Sequence, residues 1–345
     1  MRPNNIARIK DNISNEGSRA KRINIDIAII SDERNLRWLT GRIGLNIILV
    51  IPTDGRPVCL CPTMELGRVA GLGFEVLELK EGQKAWKVIK DYFEPKTIGT
   101  DAGFAEKQEG VKRYFKKIVD ISNIITNLRQ VKTASEIKLL SKARKITLKG
   151  IKAGGEALQR GISELELAGI VEHEMRKQGA QSFSFDTIIA FGKNSAVAHH
   201  IPTNKRIKSG DVVLIDAGAV YGGYCADITK MFYFHVDEKI IKLDKKVCNI
   251  RDTIIDSIKA RMYARDVEKN YKNIMQRYCF ERVHKIGHGI GVEVHEKPQF
   301  SLTSLDRLVE GSVFTIEPAV YINGLCGIRK EDMYFIDRKG ELRIC

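Results

Sequence analysis

Four consecutive apolar residues, Val212 to Ile215, run straight into Asp216, and a second β-type run, Tyr224 to Phe234, carries Asp227. Strand interiors generally exclude aspartate, so two of them in such runs restrict what the chain can fold into. If the runs form a hairpin turning at Tyr221-Gly222, the two aspartates face one another on one side of the sheet, with Cβ atoms ~5 Å apart. Ionised carboxylates at that spacing repel by about 3 kcal/mol at an effective dielectric of 20, and the apolar flanks add a desolvation cost. A cation between them is therefore expected. Gly222 and Gly223 already serve the turn, so neither aspartate is needed there, and the simplest alternative neutraliser is Lys230.

Two glutamates and a histidine stand in similar settings. Glu317 closes the run Val313 to Ile316 just before Pro318, and Glu331 follows Gly327-Ile328-Arg329-Lys330 beyond an Asn323-Gly324 turn. His288 lies in Gly287-His288-Gly289-Ile290-Gly291, where the glycines oppose a helix and permit close approach of backbone to a ligand, and His295 follows. Oxygen donors with one imidazole suit a hard or borderline divalent ion such as Mn²⁺ better than structural zinc. These donors exceed what one ion needs, which points to two ions ~3.5 to 4 Å apart that generate hydroxide and clamp a tetrahedral intermediate. The serine elbow, the phosphate-binding glycine loops and the H-E-x-x-H pair are all missing.

A length of 345 residues suggests about two domains. Short β-type runs alternate with helical patterns from Ile25 to about Asp120, including a strand at Asn24 to Ile30 and helices at Glu33 to Leu39, Lys84 to Phe93 and Ala105 to Phe115, which indicates an α/β domain over 1–130. Helices at Ala134 to Ala153 and from Ser163 to Gly179, then β-rich runs interrupted by a helical zone at Lys245 to Tyr278, indicate an α+β domain over 131–345. The formal charge of +14 is spread over both halves, as on a solvated surface, so nucleic acid is not the expected partner. Seven cysteines without a C-x-x-C pair suggest reduced thiols. The basic start, Met1 to Lys10, and the modest apolar stretch Ile43 to Ile51 indicate neither export nor a membrane span, and a cytoplasmic location is expected.

The ordered set Asp216, Asp227, His288, Glu317 and Glu331, carried in LIDAG, ADIT, GHGIGVEVHE, TIEP and GIRKED, resembles the pita-bread (creatinase-fold) metallopeptidases. Within them it is most similar to Xaa-Pro aminopeptidases and Xaa-Pro dipeptidases (prolidases), which also carry an N-terminal α/β domain, here with WLTG at Trp38 to Gly41. The resemblance implies a creatinase-like N-terminal domain and a pita-bread catalytic domain with an antiparallel sheet flanked by helices. It implies two divalent ions, Mn²⁺ first and Co²⁺ or Zn²⁺ as alternatives, with Asp216 chelating one, Asp227 and Glu331 bridging, and His288 and Glu317 completing the shells. The reaction implied is hydrolysis of the Xaa-Pro bond at a peptide N-terminus or in a dipeptide, by hydroxide bridging the ions. Glu317 would be the general base, with His199 and His295 catalytic and, with Arg329, binding substrate. A homodimer is the family expectation.

Ala198, Ala319 and Lys330 depart from the usual pattern, as does the stretch around Arg261-Met262; on an extended strand Lys330 should point away from Glu331. Two rivals are a methionine aminopeptidase, which would generally lack the N-terminal domain, and a non-catalytic pita-bread scaffold that binds nucleic acid or protein through its basic surface.

Overall fold

Ile27–Ile30 (β1), buried along its whole length, is the strand about which the first part of the chain assembles. The computed structural model describes residues 2–14, 25–101 and 111–345, in two units, Met1–Arg129 and Gln130–Cys345. In the first unit β1 pairs antiparallel with Ile48–Pro52 (β2) and parallel with Thr97–Thr100 (β5). Val58–Pro62 (β3), Glu75–Leu79 (β4) and Lys117–Asp120 (β6) complete a six-stranded sheet in the order β4-β3-β2-β1-β5-β6. The helix Glu33–Thr40 starts where Asp32 accepts from the Arg34 amide and stops at Gly41, whose φ of 74° an L-residue resists. The N-terminal residues, which read as a polar, basic start, form a helix, Pro3–Ser14, because Ile6, Ile9 and Ile13 share one buried face. Of the expected helix at Ala105 to Phe115, residues 105–110 lie outside the described residues, as does Asn24, and Val111–Arg113 is a 3₁₀ turn.

The second unit is built from two helix pairs laid on antiparallel sheets. Ala134–Glu156 and Glu164–Lys177 both open with capping boxes, Thr133 with Glu136 and Ser163 with Glu166. They approach so closely that a Cβ on Gly154 would lie 2.7 Å from Val171 Cγ2. Below them Ile188–Phe191 (β8), Asp211–Ala217 (β9) and Ile228–Phe234 (β12) form one sheet, while Ser182–Phe183 (β7), Ala219–Tyr221 (β10) and Tyr224–Cys225 (β11) form another. Ile146, Leu167, Val171, Ile189, Val213 and Ile215 fill the space between helices and strands.

The expected helical zone at Lys245 to Tyr278 is two helices, Glu238–Ser257 and Ala264–Arg277, separated by a turn in which Arg261 takes a φ of 68°. These cover Val313–Ile316 (β13) and Asp332–Ile336 (β16) with Val247, Ile250, Ile254 and Tyr271. Ala319–Ile322 (β14) and Cys326–Arg329 (β15) form the hairpin around Asn323-Gly324, and Leu342–Ile344 (β17) flanks β16.

The aspartate hairpin has a different register from the expected one. Tyr221 pairs with Tyr224, so the turn is Gly222-Gly223, and Asp216 stands opposite Thr229 rather than Asp227. Both glycines have positive φ, 56° and 77°, as a tight two-residue turn requires, whereas Tyr221 in the turn would have been strained. Asp227 is therefore a diagonal neighbour of Asp216, just ahead of β12.

Candidate metal centre

Four of the five residues sit on or beside a strand of the second unit, and the fifth, His288, lies in a non-strand stretch. Asp216 is on β9 and Asp227 precedes β12; Glu317 follows β13, and Glu331 lies between β15 and β16. His288 belongs to a stretch pressed against β13: its amide donates to Thr315 Oγ1 at 3.2 Å and its carbonyl accepts from the Thr315 amide at 2.8 Å. A Cβ on Gly287 would stand 2.0 Å from the Thr315 carbonyl oxygen, so only glycine lets this stretch approach so closely.

His288 is the hub. Its Nε2 lies 3.4 Å from Asp227 Oδ2, 3.6 Å from Glu317 Oε1 and 4.0 Å from Glu331 Oε1. Donor atoms of Asp227, His288 and Glu331 lie within 4.8 Å of one another, the spacing of a shared cation. Asp216 is tied in through Asp227, against whose carboxyl it presses, and through the guanidinium of Arg329. The expected alternative neutraliser, Lys230, instead pairs with Asp332 at 2.9 Å, and Lys330 pairs with Asp244 at 2.5 Å.

Burial first, then repulsion from Asp216 and Glu317, pushes the Asp227 carboxyl well above the usual range; burial and then Asp227 do the same to Glu331. Burial, followed by Glu331, raises Glu317 to about 8. Asp216 Oδ1 and Glu331 Oε1 are buried and accept no hydrogen bond among the described residues. Orphaned carboxylate oxygens at this depth are costly unless something positive meets them, so the oxygen-rich donor set at Asp227, His288 and Glu331, with Asp216 beside it, fits a divalent cation.

Arg329, 4 % exposed, spends its donors on Asp216, on Thr229 Oγ1 at 2.8 Å, on the Ala198 carbonyl at 3.1 Å and on Tyr321 Oη at 2.9 Å. Thr229 in turn donates to Glu331 Oε2 at 2.8 Å. Arg329→Lys keeps the charge but loses this planar fork, and is expected to weaken metal affinity or activity by about 10- to 100-fold. Metal titration and steady-state assays check it; an unaltered variant would mean the fork is idle.

The cluster forms the floor of a cleft of about 1290 Å³. His199 and His295, both exposed, line it, and His295 packs edge-on to His288 with ring centroids 4.3 Å apart. Sequence reasoning missed His284, whose Nδ1 lies 3.8 Å from Glu317 Oε2 and whose Nε2 meets Tyr321 Oη at 3.1 Å; burial lowers its pKa to about 4. The only signal was its position four residues before His288 in a segment that is not helical.

Residues 138–338 match the model of metallopeptidase family M24. The chain belongs to that family. Residues 17–131 match the creatinase/prolidase N-terminal domain, so this M24 chain pairs that domain with a pita-bread metallopeptidase domain. It is 34 % identical over 330 residues to the Xaa-Pro dipeptidase of Pyrococcus furiosus, covering 93 % of each chain. Among solved structures, the prolidase from Pyrococcus horikoshii superposes with a TM-score of 0.88 at 28 % identity, over 99 % of this chain and 97 % of that one. The X-Pro aminopeptidase from Thermotoga maritima superposes with a TM-score of 0.85 at 27 % identity, over 93 % and 95 %. Among the described residues, no helix of this M24 enzyme is long and apolar enough to cross a membrane.

Proposed function

We propose that this M24 metallopeptidase hydrolyses the bond between an N-terminal residue and proline, in dipeptides or at the start of longer peptides, and that 131–345 is its catalytic domain. The observation that carries the chemistry is the pair of orphaned oxygens, on Asp216 and Glu331, inside a cluster centred on His288. The names of the relatives support the proline preference. Asp216, Asp227, His288, Glu317 and Glu331 hold two divalent ions, Mn²⁺ first. Bound there, the ions lower the pKa of water and polarise the scissile carbonyl.

The chain's own groups do the rest. Glu317, whose Oε1 lies 3.6 Å from His288 Nε2, is placed to take a proton from the attacking water and to pass it to the departing proline nitrogen. His199 and His295 stand on the cleft wall, where a ring N–H can donate to the negative charge developing on the carbonyl oxygen. Arg329 keeps Asp216 aimed at the cluster and reaches the wall through the Ala198 carbonyl. A tertiary Xaa-Pro amide offers no N–H and has a kinked geometry, so a dedicated cleft is needed to bind it.

The test is a metal-free preparation reconstituted separately with Mn²⁺, Co²⁺ and Zn²⁺, then assayed on Ala-Pro, Ala-Pro-Ala and Met-Ala peptides. Metal-restored cleavage of the proline substrates is expected. Cleavage of Met-Ala alone would identify a methionine aminopeptidase instead, and no cleavage at all would remove the exopeptidase reading.

A further inference from the structure

Outside the metal cluster, a densely hydrogen-bonded carboxylate of the second unit belongs to Glu164, the first residue of the helix Glu164–Lys177, whose side chain has no solvent exposure. Its Oε1 accepts from the Phe191 amide at 2.8 Å and from Asn194 Nδ2 at 2.8 Å. Its Oε2 accepts from the Thr203 amide at 3.0 Å and Thr203 Oγ1 at 2.7 Å, and meets His200 Nε2 at 2.9 Å. Burial alone would raise the pKa of this carboxyl, but these donors, His200 first, bring it below the usual value, so it stays ionised. The helix does not need Glu164 as its cap, because Ser163 and Glu166 already form the capping box. Every partner lies within Phe191–Thr203, and Ala198 to Pro202 of that segment line the cleft.

His199 sits between two fixed neighbours. On one side the Ala198 carbonyl accepts from Arg329 Nη1 at 3.1 Å; on the other the His200 ring rests on Glu164. The His199 ring is exposed and makes no hydrogen bond or ion pair among the described residues, so nothing but its backbone sets where it stands.

We propose that Glu164 is a positioning residue: through His200 it clamps the Phe191–Thr203 segment and so fixes His199 at the mouth of the cleft. The inference rests on the exopeptidase reading for its effect on rate, and on hydrogen bonding alone for the clamp. Misplacing a group by about an ångström can cost on the order of 100-fold in rate. Glu164→Gln, which removes the charge shared by all these donors, is therefore expected to lower kcat/KM for Ala-Pro by about 100-fold. His200→Ala, which leaves the helix start intact, is expected to lower it by roughly 10-fold, with metal content unchanged in both.

A double-mutant cycle with His199→Ala in the metal-loaded enzyme tests the route. If Glu164 and His200 act through His199, adding His200→Ala to His199→Ala costs less than about twofold more; losses that multiply would overturn the proposal. Amide hydrogen exchange at Phe191 and Thr203 tests the clamp without any assay of activity. Exchange at least about tenfold faster in Glu164→Gln, confined to the 191–203 segment, is expected, and unchanged exchange would overturn it. A wild-type enzyme that cleaves no Xaa-Pro peptide would remove the exopeptidase reading, and the exchange result would still decide the clamp.

Discussion

Asp227→Asn is expected to abolish activity and at the same time to raise the melting temperature of the metal-free protein. Asp227 is 6 % exposed and crowded by Asp216, Glu317 and Glu331, so without metal its carboxyl sits well above the ordinary range. Asparagine has nearly the same shape, carries no charge, and brings an NH₂ that can donate to an orphaned oxygen such as Glu331 Oε1. Removing one repelling carboxylate is worth about 1 to 2 kcal/mol at pH 8, or roughly 2 to 6 °C in Tm. The same change deletes an oxygen donor at the centre of the cluster. Activity should fall by about 10³-fold or more, equivalent to about 4 kcal/mol of transition-state stabilisation. Calorimetry of the metal-free variant, metal analysis and a cleavage assay check the three parts. A variant that binds metal and turns over normally would show that Asp227 is not a ligand.

Such a trade between stability and function marks a site that sequence patterns expose well. Aspartate in or beside an apolar strand breaks the local rule, and that breach was legible without coordinates at Asp216, within β9, and at Asp227, just ahead of β12. The register was not read correctly, although its determinant was present: two consecutive glycines, both at positive φ, place the turn at Gly222-Gly223 and shift Asp227 to a diagonal position. The fold classes of both units were legible in local signals, the alternation of strands and helices in the first and the capping box at Ser163 in the second, whereas the box at Thr133 was not read.

What stayed hidden depends on long-range contacts. Glu164 looks like any acidic residue in a first helical turn until the segment 191–203 arrives to bury it. His284 and Tyr321 meet only because β14 and the His288 stretch are brought together from distant parts of the chain. The helix Pro3–Ser14 was missed because its three isoleucines are diluted by polar residues, and only their i, i+3, i+7 spacing reveals the buried face.

Metal-free enzyme is expected to lose stability as pH rises from 6.5 to 8, and metal-loaded enzyme is not. A carboxyl whose folded pKa is raised binds a proton in the native state that the unfolded chain has already released. Unfolding therefore becomes easier with each added pH unit, until the folded pKa is passed. Glu317, raised from 4.5 to about 8, loses stabilisation across this window, and Asp227 and Glu331 shift in the same direction. Below pH 6.5 the sign is mixed: burial depresses His284 to about 4, and a depressed histidine contributes stability that grows as pH rises from 4 to 6.5. The clean window is thus 6.5 to 8, where each proton retained costs about 1.4 kcal/mol per pH unit. One such carboxyl gives a loss of about 2 kcal/mol, or roughly 5 °C in Tm. Divalent ions reverse the sign, because they take the place of those protons and favour the ionised carboxylates. Melting curves at pH 6.5 and 8, with and without Mn²⁺, measure the difference directly, and Asp227→Asn should flatten the metal-free slope. Equal melting temperatures for the metal-free protein at both values would mean that the carboxyls share no protons, and that the crowding at His288 is not what selects for a cation.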